Sequence, residues 1–452
     1  MIRIEKNYDG TVTPAPSPAK HGEGPVMTDD LYEKRLAALA ANPALQGENV
    51  RLPESAGAGI RGGLAVVGVG CLALTALGAV VHSPTHALAS FEVAVFTVLA
   101  ICLGSLFFTM LFQAINAYWP VTFRRQLEQA AGLIWLPLLG MVAVVLIELF
   151  SSLFTGHGVL FQWLTEDPGY LLEKKSGYLN LGFLLVRFAI YAGIWLFLAR
   201  SILSMSLEQD ATGNRMLTRA IRRRASWGIL AFALTVAFAS FDFLMSLDFR
   251  FFSTMWGVYF FAGAAMSALA VTTITFSVLR LTGRLTGIVT DEHYHDLGKL
   301  LFAFGACFWA YIAFSQYFLI WYSNIPEETA YYVYRQEGGW QVLSMILVIG
   351  HFIIPFMILI SRKVKRNVLL AAVMAAYLLI FQVLDLTWII RPMAYVGVEN
   401  PAGPGSWWID VVASVGGLAL FASFLMRALA SAPLIPMKDP RLATTLEHKN
   451  YV

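Results

Sequence analysis

Charge is what this chain has least of. Of 452 residues only 13% are Asp, Glu, Lys or Arg, while 58% are hydrophobic; that is about half the charged share of a usual globular protein. A water-soluble shell cannot be built from it, so a soluble enzyme, a nucleic-acid binder and a disordered scaffold are all excluded. Cysteine is scarce too. Cys71, Cys102 and Cys307 stand far apart in apolar runs, which excludes a CxxC zinc or iron–sulfur site and leaves them as small packing residues. The chain has no CxxCH, no nucleotide-phosphate loop and no metal-ligand cluster, and His293 and His295 read as loop residues among Asp291, Glu292 and Asp296. Of eight histidines only His351 lies deep in an apolar run, whereas a bis-histidine haem needs two at matching depth. No metal and no redox centre is expected on this chain.

What is abundant is apolar length. Mean hydropathy is +0.64, with 32 Phe and 12 Trp. Residues 1–60 form a polar tail with Pro14, Pro16 and Pro18 and no apolar core behind a basic start, which reads as retained and not as a signal peptide. Within it Thr28 is placed to cap a short helix running to Leu39. A membrane domain, 61–428, holds ten apolar spans: 62–81, 91–117, 133–153, 178–199, 226–247, 255–279, 297–322, 340–360, 367–390 and 408–426. A second polar tail, 429–452, follows. At about 1.5 Å per residue each span reaches roughly 28 to 40 Å, enough to cross a hydrocarbon core of about 30 Å. The expected fold class is all-α, integral to a membrane.

Basic residues give the orientation. Outside the spans, 25 Lys and Arg fall in the tails and even-numbered loops and 5 in the odd-numbered loops. This predicts that both termini are cytoplasmic and that the long loops 154–177 and 323–339 face outward. The second of these mixes Glu327, Glu328 and Glu337 with Tyr331, Tyr332 and Tyr334. Such a loop suits either an interfacial aromatic belt or a docking surface for an extracytoplasmic partner.

Eight ionisable residues fall within the spans. Glu92, Lys299 and Asp410 sit near span ends and can reach headgroups or water. Glu148, Arg187, Asp242, His351 and Asp385 lie deeper. Exposed to lipid, the four charged ones would cost on the order of 10 kcal/mol together, so they must face the bundle interior. Glu148, Asp242 and Asp385 fall in the outer third and Arg187 and His351 near mid-depth, one shared zone with Gln316, Gln382, Asp248 and Arg391 near the same level. One reading is a set of buried ion pairs, for example Glu148 with Arg187. The other is proton exchange, because three carboxylates face one deep arginine and at least one acid lacks a counter-charge.

Laying spans two to five over spans six to nine matches Glu148 with Gln316, Arg187 with His351, and Asp242 with Asp385. That predicts two parallel four-helix bundles, with spans one and ten outside them. On the inner half, Thr272, Thr273, Thr275, Ser277, Lys299 and Tyr377 either satisfy local carbonyls or form an inner half-channel. Gly263 and Ser267, four apart, suit a close helix contact.

The runs DFLMSLDFRFFSTMWGVYFFAGA, from Asp242, and DLGKLLFAFGACFWAYIAFSQYFLIWYSNIPEET, from Asp296, resemble the NrfD-like, or polysulfide-reductase membrane-subunit, family, as found in the membrane subunits of bacterial alternative complex III. The likeness in architecture covers about residues 60 to 430. It implies a fold of two four-helix bundles in a bacterial inner membrane, within a respiratory quinol:cytochrome c or quinol:oxidase oxidoreductase. The implied partners are a sister NrfD-like subunit, an iron–sulfur subunit and a multihaem cytochrome c, so that haem c and iron–sulfur clusters belong to other chains. Quinone binding to this chain is left open by the resemblance, since no family motif carries a quinol ligand to one position; proton transfer or coupling is the more natural use of the five deep residues. The alternatives are a secondary transporter with a midplane ion-coupled site and a purely structural anchor. Transporters break their helices at equivalent places in both halves, whereas the span prolines here, Pro137 and Pro355, fall on spans three and eight.

Overall fold

The computed structural model describes residues 29–165, 169–395 and 406–449. Thr28 lies outside the described residues, and the short helix expected there is Asp29–Ala41. It belongs to a first unit, Met1–Pro43; the membrane-spanning body is a second unit, Ala44–Val452.

Ten helices are long and apolar enough to cross a membrane. They are α1 (Ala58–Val81), α2 (Pro84–Ala114), α3 (Val121–Thr155), α4 (Leu181–Thr212), α5 (Met216–Leu247), α6 (Trp256–Leu281), α7 (Asp291–Ser323), α8 (Trp340–Leu359), α9 (Val368–Ala394) and α10 (Trp407–Ala430). No strand occurs among the described residues. This is the all-α integral membrane fold that the apolar runs predict. Ten crossings put Ala58 and Ala430 on one side, the terminal side, and the connections 156–180 and 324–339 on the other, the loop side.

Several helices outrun their apolar spans. Helix α3 begins at Val121 instead of 133, and α7 at Asp291 instead of 297. Their first turns, VTFRRQLEQAAG and DEHYHDLGKLL, are good helix sequence without being lipid-compatible. Hydropathy measures the width of the hydrocarbon layer, and helix propensity carries the chain beyond it. His293 and His295 are therefore helical and buried, not loop residues.

Helix α3 is interrupted at Leu133 and Ile134. Pro137 explains it, because its ring collides with the carbonyl four residues back and its nitrogen cannot donate there. In α8 the segment Leu347–Ile353 widens into a π-helix just before Pro355, the wide turn absorbing the same missing bond at His351. Helix α7 has a second π-helix, Phe302–Phe308, with no proline near; we have no sequence explanation for it. The irregularities of α3 and α7 both fall about three turns in.

Helices α2 and α6 form the buried centre and pack on each other. A Cβ on Gly104 would come within 1.9 Å of the Ala264 carbonyl, so only glycine permits this crossing. Around α2 the neighbours α3, α4 and α5 close one four-helix ring, and around α6 the neighbours α7, α8 and α9 close another. Helix α5 touches α6 as α9 touches α2, the arrangement a parallel repeat requires. Helices α1 and α10 pair outside and lean on α2. The Gly263 contact is real, and its neighbour is the Gln382 side chain of α9.

Candidate functional site

The deep ionisable residues sort into two differently built groups. In the first bundle Arg187 of α4 makes a bidentate pair with Asp242 of α5, Nε and Nη2 each 2.8 Å from a carboxylate oxygen. Tyr191 donates to the same carboxylate at 2.8 Å, and the guanidinium lies over the Tyr178 ring. Arg187 therefore pairs with Asp242 and not with Glu148. A planar fork matches a carboxylate best when both N–H groups can engage, and the neighbouring helix offers that geometry. Glu148 is held instead by backbone: its oxygens accept from the amides of Leu160 at 2.7 Å, Val159 at 2.8 Å and Phe161 at 3.4 Å.

Two of the three residues expected to reach headgroups are also sealed inside. Asp410 is buried against Arg391 at 2.7 Å and Ser90 at 2.7 Å, with His86 at 3.6 Å. Glu92 is fully buried on the central helix α2. Both sit close to the ends of their apolar runs, but α2 is the central helix and α10 packs on it, which buries them. Lys299 does emerge half-exposed, paired with Asp296.

The second bundle handles its acid differently. Asp385 of α9 is buried, and among the described residues its partners are neutral donors. Its oxygens accept from the Tyr259 hydroxyl of α6 at 2.6 Å and from the Trp309 indole of α7 at 3.3 Å. The far face of Trp309 stacks on His351 at 3.8 Å between ring centres. His351 Nε2 in turn lies 3.3 Å from the Met266 sulfur. Four helices thus contribute to one line of groups, Tyr259, Asp385, Trp309 and His351.

Beside that line is a cavity of about 860 Å³ between α7 and α8, walled by Tyr259, Trp309, Phe314, Tyr332, Phe352 and Trp388 among others. Both π-helices border it, through Cys307 on α7 and Leu347 and Phe352 on α8. The wide turns push side chains off the regular register and open room between the two helices. Its outer wall includes Tyr311 and Phe314, which are exposed on the lipid-facing side of α7. At the loop end stand Arg335, Gln336, Gln341 and Ser344. Arg335 is buried with its guanidinium spent on the carbonyls of Tyr331, Trp388 and Ile389, 3.4 Å above the Tyr331 ring. Burial pulls that guanidinium below its ordinary range, and the surrounding tyrosines oppose the shift. The loop 323–339 is consequently part of the second bundle's lid, with Tyr331 inside and Glu327 outside.

The remaining candidates do not join this line. Thr273 bonds to the Leu269 carbonyl one turn back, Ser277 to the Val368 carbonyl, and Tyr377 to the Gly350 carbonyl. Thr272 is buried and Thr275 half-buried on the same stretch of α6. Thr273 thus serves a carbonyl of its own helix, and Ser277 and Tyr377 serve carbonyls of neighbouring helices. Gln316 accepts from Ser253, and Asp248 is buried near the loop side, accepting from the Arg250 amide.

Sequence reasoning missed Tyr259 and Trp309. Aromatic residues in a span read as packing, and only the position of Asp385 on another helix reveals their polar ends. Both sit inside the two runs that carry the family resemblance. No protein-family model matches the chain, and no curated protein matches it.

Proposed function

We propose that this chain is a membrane subunit of a respiratory quinol oxidoreductase, ActF-like within the NrfD-like family, contributing proton transfer or coupling while partner subunits carry the haem and iron–sulfur centres. The observation that supports it best is Asp385, a buried acid held by neutral donors among the described residues, one hydrogen bond behind the aromatic wall of a cavity open to lipid. A lipid-soluble hydrogen carrier reaches such a cavity from the bilayer without crossing water. Its hydroxyl proton has a short route to a carboxylate through the Tyr259 hydroxyl, and Trp309 and Tyr259 orient that carboxylate by donating to it. Gln336 and Gln341 supply polar anchorage at the loop end. His351, stacked on Trp309, stands next in line on the far side.

The test is Asp385→Asn in the assembled complex. The amide keeps the acceptor oxygen and cannot carry a proton. Assembly is expected to survive while quinol turnover, or protons released per electron, falls. Normal assembly with unchanged turnover and stoichiometry would refute the relay.

A secondary transporter remains the second reading, favoured by one observation: the interruptions of α3 and α7 fall at equivalent places in the two halves. Purification in mild detergent separates the readings. Copurification with haem and iron–sulfur proteins supports the subunit, and a solitary transport-competent chain supports the transporter.

A further inference from the structure

The first bundle meets the bilayer along a seam between α4 and α5, which pack on each other and take no part in the relay above. Each helix presents one exposed face there, with arginine at the terminal-side end and apolar residues below it. On α4 the face runs through Arg200, Phe197 and Ile190, and on α5 through Arg223, Trp227 and Leu230. Spacings of three, four and seven residues keep each set on one side of its helix. Phe197 stacks on Trp227 with 6.2 Å between ring centres, and the Arg224 guanidinium lies 4.9 Å from the centre of the Phe197 ring, so the two faces join into one surface. A Cβ built on Gly193, between Phe197 and Ile190, would meet nothing within 4 Å, which leaves a notch in the apolar part of the seam. Arg200 directly follows the apolar span 178–199, and Arg223 and Arg224 stand just before the span 226–247. The arginines are therefore at the level of lipid headgroups and the aromatics just beneath it.

The charge at that level has one sign. Elsewhere on the terminal side cations have carboxylates: Arg124 has Asp439, Arg125 has Asp210, Arg280 has Asp291 and Arg366 has Glu292. Among the described residues, none of Arg200, Arg222, Arg223 and Arg224 has a carboxylate within ion-pair distance. The Nε of Arg222 is buried without a hydrogen-bond partner. Helix α5 has no acid in its first turn, and its N-terminal end adds partial positive charge of its own. Like charges gathered in one place repel, and an anion among them removes that cost. A free phosphate ion or an acidic protein segment would satisfy the arginines and leave the aromatic and apolar part of the seam unused. A phospholipid matches both parts in the order in which they occur.

We propose that the terminal-side end of the α4–α5 seam is a binding site for an anionic phospholipid, with its phosphate on Arg200, Arg223 and Arg224 and its acyl chains along Phe197, Trp227 and Leu230. A guanidinium forks onto two phosphate oxygens. Arginines supplied by two helices favour a headgroup with two phosphates over one with a single phosphate.

Native mass spectrometry of the purified full chain, delipidated in mild detergent and titrated with diphosphatidylglycerol, tests this without a turnover assay. The wild type is expected to retain diphosphatidylglycerol in preference to phosphatidylcholine. Its affinity is expected to fall at least about tenfold in Arg223→Gln/Arg224→Gln, the scale of two headgroup-level cations, and to stay unchanged in Arg366→Gln, whose arginine already has Glu292. Brominated acyl chains on the same lipid are expected to quench the wild-type fluorescence more than that of Trp227→Phe. An equal loss in Arg366→Gln would reduce the effect to net charge and overturn the site. So would equal retention of phosphatidylcholine, or undiminished binding in the double variant. Displacement of the lipid by inorganic phosphate would assign the arginines to a soluble anion, and displacement by polyglutamate to an acidic protein segment; either result overturns the lipid.

Discussion

The two four-helix bundles share one ring topology and treat their acids in opposite ways. In α2–α5, Asp242 has a bidentate arginine and a tyrosine, and Glu148 has three amides. In α6–α9, the equivalent Asp385 has two neutral donors, both helices beside it contain π-turns, and a cavity opens at its side. The matching aspartates differ: Asp242 is compensated by a cation, while Asp385 has no ion-pair partner among the described residues and a cavity beside it. A repeated scaffold can hold its shape with one copy while the other copy accommodates a buried acid held by neutral donors.

The largest expected effect comes from unbalancing the closed half. Arg187→Met leaves the Asp242 carboxylate buried without its cation and should destabilise the fold by about 3 to 5 kcal/mol. Thermal unfolding in detergent measures it, and Arg187→Met combined with Asp242→Leu should recover most of the loss. If the single variant is as stable as wild type, ion pairing is not what distinguishes the two halves.

Next is Asp385→Asn, which inverts the pattern. Its stability should change little, since Tyr259 and Trp309 still find an acceptor, while turnover falls by roughly 10²-fold or more, the scale of a lost general base. Comparing turnover with unfolding in the same two variants sharpens the contrast. Tyr259→Phe should be milder, about tenfold in turnover, because the carboxylate keeps Trp309 and loses one donor worth about 1 to 2 kcal/mol.

The smallest effect concerns pH at the terminal side. Burial alone would raise the Asp439 carboxyl, but Arg441 and Arg124 hold it well below the usual carboxylate range. A depressed folded value adds stability above the unfolded value of about 3.9, and that stability is lost as pH falls through the folded value. The segment around Asp439 should therefore resist proteolysis from neutral pH down to about pH 4. In Arg441→Gln, with one cation gone, release should begin at higher pH.

Much of this architecture was legible beforehand. Ten spans, the parallel repeat and the depth of five ionisable residues follow from hydropathy and spacing, because lipid forbids unpaired charge and irregular backbone. Partnership was not legible. Arg187 has Glu148 and Asp242 at similar depth, and only the ring order of the helices decides between them. Glu92 lies near a span end, but access to water depends on which helix is central, and Glu92 is on the central helix α2. The π-helix of α7 left no mark in the sequence, so the cavity it borders could not be foreseen.

The segment beyond α10 has one more consequence. Leu434 bonds to Val50, Asp439 to Arg124 at the start of α3, Arg441 to Gln113, Thr445 to Tyr118, and His448 to Asp296 at the start of α7. This segment thus fastens the first turns of α3 and α7, the second helix of each repeat. Because it follows α10 in the chain, synthesis delivers this clasp only after all ten helices, so a chain cut after Ala430 lacks the tie between its halves.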